Sequence, residues 1–243
     1  MHSYYIYPIA LCEGPRDISH FAYRSKPGSI GNTACYIWYI ETMEGNILVD
    51  AGASAATFTE KGTPETDLTS VEGGLGRLGL KPEDIDTVIV THLHCDHIAL
   101  SHLYKKAKFI VQKRELEYAL SPHVIDDVLY DRPSFEGLNW EVVDGDTEIA
   151  SGISIFLTPG HSPGGQSVEV ITPAGKAVIT GFCCTLNTFV QTREMKRWGW
   201  EVTAPLIHHD VREIYNSVLK VKQRADIILA LHDPAFIRKE KIP

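Results

Sequence analysis

The chain has no long hydrophobic run: nowhere in its 243 residues does an apolar stretch approach the roughly 18 residues that a membrane-spanning helix needs. The opening MHSYYIYPIALCEG also lacks the basic segment that precedes the apolar core of a secretory signal. The expectation is a cytoplasmic protein with no membrane partner. Runs of lysine and arginine are missing too, and the formal net charge is -8. Without clustered cations to neutralise several phosphates at once, nucleic acid is not expected as a partner. Cysteine is sparse and odd in number: Cys12, Cys35, Cys95, Cys183 and Cys184. A chain this long needs no covalent staples, so these read as reduced thiols whose special roles, if any, are chemical. Low-complexity tracts, short-period repeats and linker-like segments are absent as well, which leaves one domain over residues 1–243 as the expected organisation. A homodimer is left open.

What is present is a β-rich pattern with a few helices. Short runs rich in Ile, Val and Tyr at 4–10, 33–41 and 46–50, broken by Gly, predict strands joined by tight turns. Leu68, Val71, Leu75 and Leu78 have helical spacing within 66–80, although Gly73, Gly74 and Gly76 weaken it. The run 87–91 is almost purely apolar and predicts a strand buried on both faces. A strand at 109–112 and a helix at 114–120 follow. The second half predicts strands at 140–143, 153–158, 167–172 and 176–180, then a helix from Asp210, then a buried strand at 226–231 that runs into His232. Asp210 can cap that helix while Glu213 reaches back to complete a capping box, and Ile214, Val218 and Val221 form its apolar stripe. Two β-rich halves sharing one core fit this better than two independent units.

The chemistry is concentrated in Thr91-His-Leu-His-Cys-Asp-His97. Four metal-binding side chains fall directly after a buried strand, where they can converge outside its carboxyl end. Positions two apart in an extended segment share a face, so His92 and His94 can grip one cation while Asp96 and His97 aim at a second. His161, in Thr158-Pro-Gly-His-Ser-Pro-Gly164, and His232, before Asp233-Pro234, also follow strands. Either alone is ambiguous. Three strand ends that each deliver imidazole make a common site the better reading.

With these residues in place the sequence resembles the metallo-β-lactamase superfamily. Its His-x-His-x-Asp-His signature is matched by His92, His94, Asp96 and His97, and its remaining histidine ligands by His161 and His232. Asp50, in Leu48-Val-Asp-Ala-Gly52, matches an early Asp that the resemblance places behind the ligands to orient an imidazole. Val111-Gln-Lys-Arg-Glu-Leu-Glu-Tyr-Ala119 and the segment 158–167 are similar to the branch that contains N-acyl homoserine lactonases. The resemblance implies an α/β fold, a four-layer αβ/βα sandwich, with one or two metal ions, zinc first and iron or manganese as alternatives. It also exposes two departures. Phe182 stands where most dinuclear members carry a bridging Asp, so Cys183 and Cys184 become candidate further ligands. If strand alternation continues, Cys184 shares the face of Phe182; a one-residue bulge presents Cys183 instead. Where lactonases of this branch carry a substrate-assisting Tyr, this chain has Thr185.

The expected reaction is hydrolysis of a small molecule: water made acidic by a cation attacks a carbonyl, Asp96 holds or shuttles its proton, and a lactone or related cyclic ester or amide is the substrate. A thioester hydrolase of the same fold, an iron and thiolate redox site, and a non-catalytic metal-binding protein are the alternatives. Phe182, Thr185, Trp198 and Trp200 are candidate walls of the substrate pocket, with the tryptophans equally able to pack the segment 193–201 onto the core. His208 and His209 read as exposed. Residues 1–29, with His20, Phe21 and Tyr23, are candidates to fold over the cleft.

Overall fold

A computed structural model describes residues 2–22 and 27–243. Its strands form two sheets. The first contains β1 (Ile6–Asp17), β2 (Ile30–Thr42), β3 (Gly45–Val49), β4 (Thr66–Asp67), β5 (Thr87–Ile89), β6 (Lys108–Gln112) and β7 (Trp140–Val143), in the spatial order β4-β1-β2-β3-β5-β6-β7. The second contains β8 (Thr147–Ala150), β9 (Ile153–Leu157), β10 (Gln166–Thr172), β11 (Gly175–Ile179) and β12 (Ile227–Leu229), in the order β12-β11-β10-β9-β8. Strands β3, β5, β6 and β7 are mutually parallel, as are β11 and β12.

Burial explains the layering. Trp38, Ile89 and Ile110 of the first sheet pack against Ile155, Val168 and Ile179 of the second in one shared cluster. On the outer face of the first sheet, Leu48, Val88 and Phe109 meet Leu75 and Ala119 from the helices Val71–Gly76 and Lys113–Ala119. On the outer face of the second, Phe156 and Val178 meet Ile214, Val218 and Val221 of the helix Val211–Arg224. The result is the helix-sheet-sheet-helix sandwich that the resemblance implied. Val88 and Ile89 enter opposite clusters, so β5 is covered on both faces as its apolar run predicts. Among the described residues, no helix is long and apolar enough to cross a membrane.

Several local expectations are corrected. Instead of one helix, 66–80 holds the two-residue strand β4, paired to β1, and the short helix Val71–Gly76. Glycine lowers helix propensity there, and Gly74 serves packing: a Cβ would come within 2.3 Å of Ile9 Cγ2. β1 runs on to Asp17 because it pairs with β2 over its whole length, despite Pro8 and Pro15. Asp210 caps its helix by accepting from the N–H groups of Arg212 and Glu213 at 2.8 and 2.9 Å. Glu213 does not reach back; its carboxylate lies 3.6 Å from Arg114, so only half of the box is made. The segment 193–201 is not a loop throughout but begins with the helix Arg193–Trp198, capped by Thr192.

Candidate metal centre

Asp50 leaves β3, His92 and His94 leave β5, His161 leaves β9 and His232 leaves β12. β9 is antiparallel to β10, as is β11, so β9, β11 and β12 run in one direction. The histidines therefore gather outside carboxyl ends of strands from both sheets, the usual place for ligands on open α/β sheets.

They gather as two triads. Donor atoms of His92, His94 and His161 lie within 4.8 Å of one another, and so do those of Asp96, His97 and His232. In the first, ring centroids are 4.6 to 4.7 Å apart, and the Nε2 atoms of His92 and His161 face each other at 3.1 Å. Two nitrogens on one tetrahedral cation at ordinary bond lengths would sit about 3.3 Å apart. In the second, Asp96 Oδ2 is 3.2 Å from His97 Nε2 and 3.6 Å from His232 Nε2. His97 Nε2 is buried and makes no hydrogen bond. The rings of His92 and His97 are 4.2 Å apart, which puts the triads side by side. This donor set fits divalent cations of the zinc type.

Backbone, hydroxyl and carboxylate partners set which nitrogen is free on four of the five rings, those of His92, His97, His161 and His232. His161 Nδ1 lies 2.8 Å from Ile207 O, and His232 Nδ1 lies 3.1 Å from Ala34 O. Donating to these carbonyls fixes the Nδ1–H tautomer and leaves Nε2 as a lone pair facing the site. Asp50 does this for two rings. Its Oδ2 accepts from His97 Nδ1 at 2.7 Å and from the Thr91 hydroxyl at 2.9 Å, and that hydroxyl lies 3.1 Å from His92 Nδ1. One carboxylate thus orders His97 directly and His92 through Thr91. Asp50 is fully buried and, among the described non-glycine residues, the one at positive φ, 63°. Asp tolerates this left-handed conformation, which marks a strained position held by its surroundings.

Burial holds His92 and His94 neutral well below the ordinary imidazole range, and lowers His161 and His232 to about 4. Neutral imidazole is the form that binds metal. At His97 burial pushes downward too, but the Asp96 and Asp50 carboxylates outweigh it and raise the ring to about 10. Positive charge is therefore favoured between those carboxylates. Asp96 is held below the usual carboxylate range: burial opposes this, and the neighbouring His97 outweighs it.

Glu115, which sequence reasoning missed, ties the two ligand loops together. Fully buried at the start of its helix, it accepts from Leu93 N and from Gly164 N, each at 2.9 Å. Leu93 sits between His92 and His94, and Gly164 ends the turn that presents His161. Gly164 also packs so tightly that a Cβ would come within 2.2 Å of Glu115 N. A buried acid inside the stretch that carried the lactonase resemblance was the available signal. Glu115→Ala would orphan both N–H groups at about 1–3 kcal/mol each. The expected outcome is a total loss of about 2–5 kcal/mol in denaturant unfolding, together with weaker metal binding in a chelator competition.

A cavity of about 290 Å³ opens beside the triads, with His94, Asp96, His161, His232 and Cys183 in its wall. Phe182 is turned away from it into the core, its ring 6.4 Å from that of Phe189. Cys184 shares that core face, and its Sγ lies 3.1 Å from Thr180 Oγ1. Of the pair, Cys183 is thus the one at the cleft, which Cys35 and Cys95 also line, and its sulfur belongs to neither triad. Burial raises both thiols, Cys184 to about 12. Thr185 caps the 3-10 turn Leu186–Phe189. Trp198 is half exposed and packs on Trp200 at 5.1 Å, and Trp200 lines a different hollow with Tyr215. Of these candidate pocket walls, none lines the cavity beside the histidines. His208 bonds Pro205 O and His209 pairs with Asp126, so neither joins a triad. His20 and Phe21 line the cavity as expected of the front segment, whereas Tyr23 lies outside the described residues.

A family model described as the metallo-beta-lactamase superfamily matches residues 30–230. An N-acyl homoserine lactonase of Bacillus cereus is 32% identical over 170 residues, covering 63% of this chain and 64% of that protein. The N-acyl homoserine lactonase AttM of Agrobacterium fabrum is 34% identical over 179 residues, covering 68% and 65%. These alignments span just under two thirds of the curated relatives' own length. Among solved structures, a quorum-quenching N-acyl homoserine lactone lactonase superposes with a TM-score of 0.76 at 26% identity, covering 100% of this chain and 99% of that one. An N-acyl homoserine lactone hydrolase with N-hexanoyl-L-homoserine bound at its metal centre gives 0.73 at 27% identity, covering 96% and 95%.

Proposed function

The chain belongs to the metallo-beta-lactamase superfamily, and on that premise we propose that it is a metal-dependent hydrolase of a lactone or a related cyclic ester or amide. The observation that carries this reading is the pair of adjacent triads opening onto one cavity. Divalent cations, zinc by the donor set, supply Lewis acidity toward a carbonyl oxygen and make water acidic enough to attack at neutral pH. His92, His94 and His161 would hold the first, and Asp96, His97 and His232 the second. Asp96, whose side chain is partly open to the cavity, orients the attacking water by accepting its hydrogen bond and takes up its proton. Asp50 and Thr91 keep His97 and His92 in the ligating tautomer. Phe21, Phe58 and Ile207 give the cavity an apolar wall against which a small ring can shed water. Five unpaired cysteines fit a reducing compartment, the cytoplasm.

The test combines metal counting by plasma mass spectrometry with acid release from a lactone panel. About two zinc ions per chain and turnover of at least one lactone are expected. Stoichiometric metal without turnover of any cyclic ester or amide would make it a binding protein instead, and iron with redox activity would replace hydrolysis altogether. Counting metal in Cys183→Ser asks in the same experiment whether the cleft thiol adds a ligand: a lower count supports ligation, an unchanged one leaves Cys183 a wall residue.

A further inference from the structure

The cavity beside the triads has a cationic part that metal binding does not use. Arg16, at the end of β1, lines it with its guanidinium 5.3 Å from the centre of the Phe58 ring and paired to Glu65. Lys61 lines it as well, and its backbone N–H donates to Phe58 O at 3.0 Å. The Lys61 ammonium donates to Val128 O at 2.5 Å, which uses one of its three N–H groups. Two carboxylates share these walls, and each is already engaged: Glu65 by Arg16, and Asp96 by His97 and His232. The Lys61 charge is left without an anion among the described residues. A chain of net charge -8 thus places one cation without an ion-pair partner in the wall of the cavity that holds its candidate ligands, where it can draw in and orient an anion. The volume, about 290 Å³, lies at the small end of ligand pockets, which run from about 300 Å³ upward. A long acyl chain buried here would strip water from Arg16, Lys61, Glu65 and Thr63 and give them nothing in return.

We propose that Lys61 forms an anion subsite of this cavity, whose wall also carries the Arg16–Glu65 pair, and that the substrate is a compact lactone or cyclic ester bearing its own carboxylate. The reaction type rests on the reading above; the charge preference rests on the cavity wall alone. The zinc-loaded protein would be given 5-oxotetrahydrofuran-2-carboxylate, its neutral carboxamide and N-decanoyl homoserine lactone. The acid should be preferred over the carboxamide by about fivefold in kcat/KM, the upper range of one charge pair at an exposed lysine. Lys61→Gln should bring the two within about twofold by raising KM for the acid. Preference for the carboxamide or the decanoyl lactone, or an acid preference that survives Lys61→Gln, would overturn the proposal. If no lactone turns over, calorimetry with the ring-opened diacid 2-hydroxyglutarate against the monoacid 4-hydroxypentanoate decides it separately. Tighter diacid binding that Lys61→Gln abolishes keeps the subsite even though the lactone reading falls, and equal binding of the two acids removes it.

Discussion

With His92 replaced by alanine, the protein is expected to lose bound metal and hydrolysis together, turnover falling by at least about a thousandfold. That factor corresponds to about 4 kcal/mol of transition-state stabilisation, the size of effect that Lewis acid assistance supplies. His92 is fully buried at the junction of the two triads, its ring 4.7 Å from His161 and 4.2 Å from His97. Removing it takes one nitrogen from the first triad and opens a void against the second. Metal per chain and initial rates on the best lactone check this directly. A variant with full metal content and full activity would move the site elsewhere.

The second large effect comes from a side chain that belongs to neither triad. Asp50→Asn keeps the size of the side chain and tolerates the positive φ, but it has one acceptor oxygen where the carboxylate has two. If the amide nitrogen takes the place of Oδ2, it faces His97 Nδ1 and the Thr91 hydroxyl. His97 must then accept at Nδ1 and carry its proton on Nε2, toward the cation. Thr91 in turn donates to His92 Nδ1, which reverses that ring as well. In the opposite orientation the amide meets the Thr91 backbone N–H, now 2.8 Å from Oδ1, and leaves two buried donors facing each other. Either way, metal affinity is expected to fall by about 10- to 100-fold and stability by about 1–3 kcal/mol. Competition with a chromophoric chelator reads the first and urea unfolding the second. An Asp50→Asn protein that binds metal as the parent does would show that the tautomers are set by something else.

The candidate ligands are legible in the sequence because their chemistry and their position coincide: imidazoles and a carboxylate immediately follow apolar runs, and runs of that kind become strands. His161 and His232 could be placed with them for the same reason. The groups that hold the ligands in register were not. Glu115 lies in a helix and Thr91 at a strand end, and nothing in their spacing tells that one bonds Leu93 and Gly164 while the other bridges Asp50 and His92. Those contacts are long-range and follow from how the sheets pack. The same limit applies to Phe182. The strand ends at Ile179, so alternation does not continue to Cys184, and Cys183 is the one of the two that meets the cavity, while the Phe156, Val178 and Phe189 cluster absorbs Phe182 and Cys184. The broken helix at 66–80 fails for a local reason, since three glycines outweigh an apolar spacing that tertiary contacts do not need in that form.

The distribution of the triads between the two sheets has a consequence for how the chain is tied together. His92 and His161 are 69 residues apart in sequence, and His97 and His232 are farther still. A cation shared within either triad closes a long loop of backbone, as a disulfide would, and so reduces the freedom of the unfolded chain by an amount that grows with the length closed. The five cysteines form no such link. Coordination would therefore be the cross-linking of this protein, fastening front half to back half and released when metal becomes scarce.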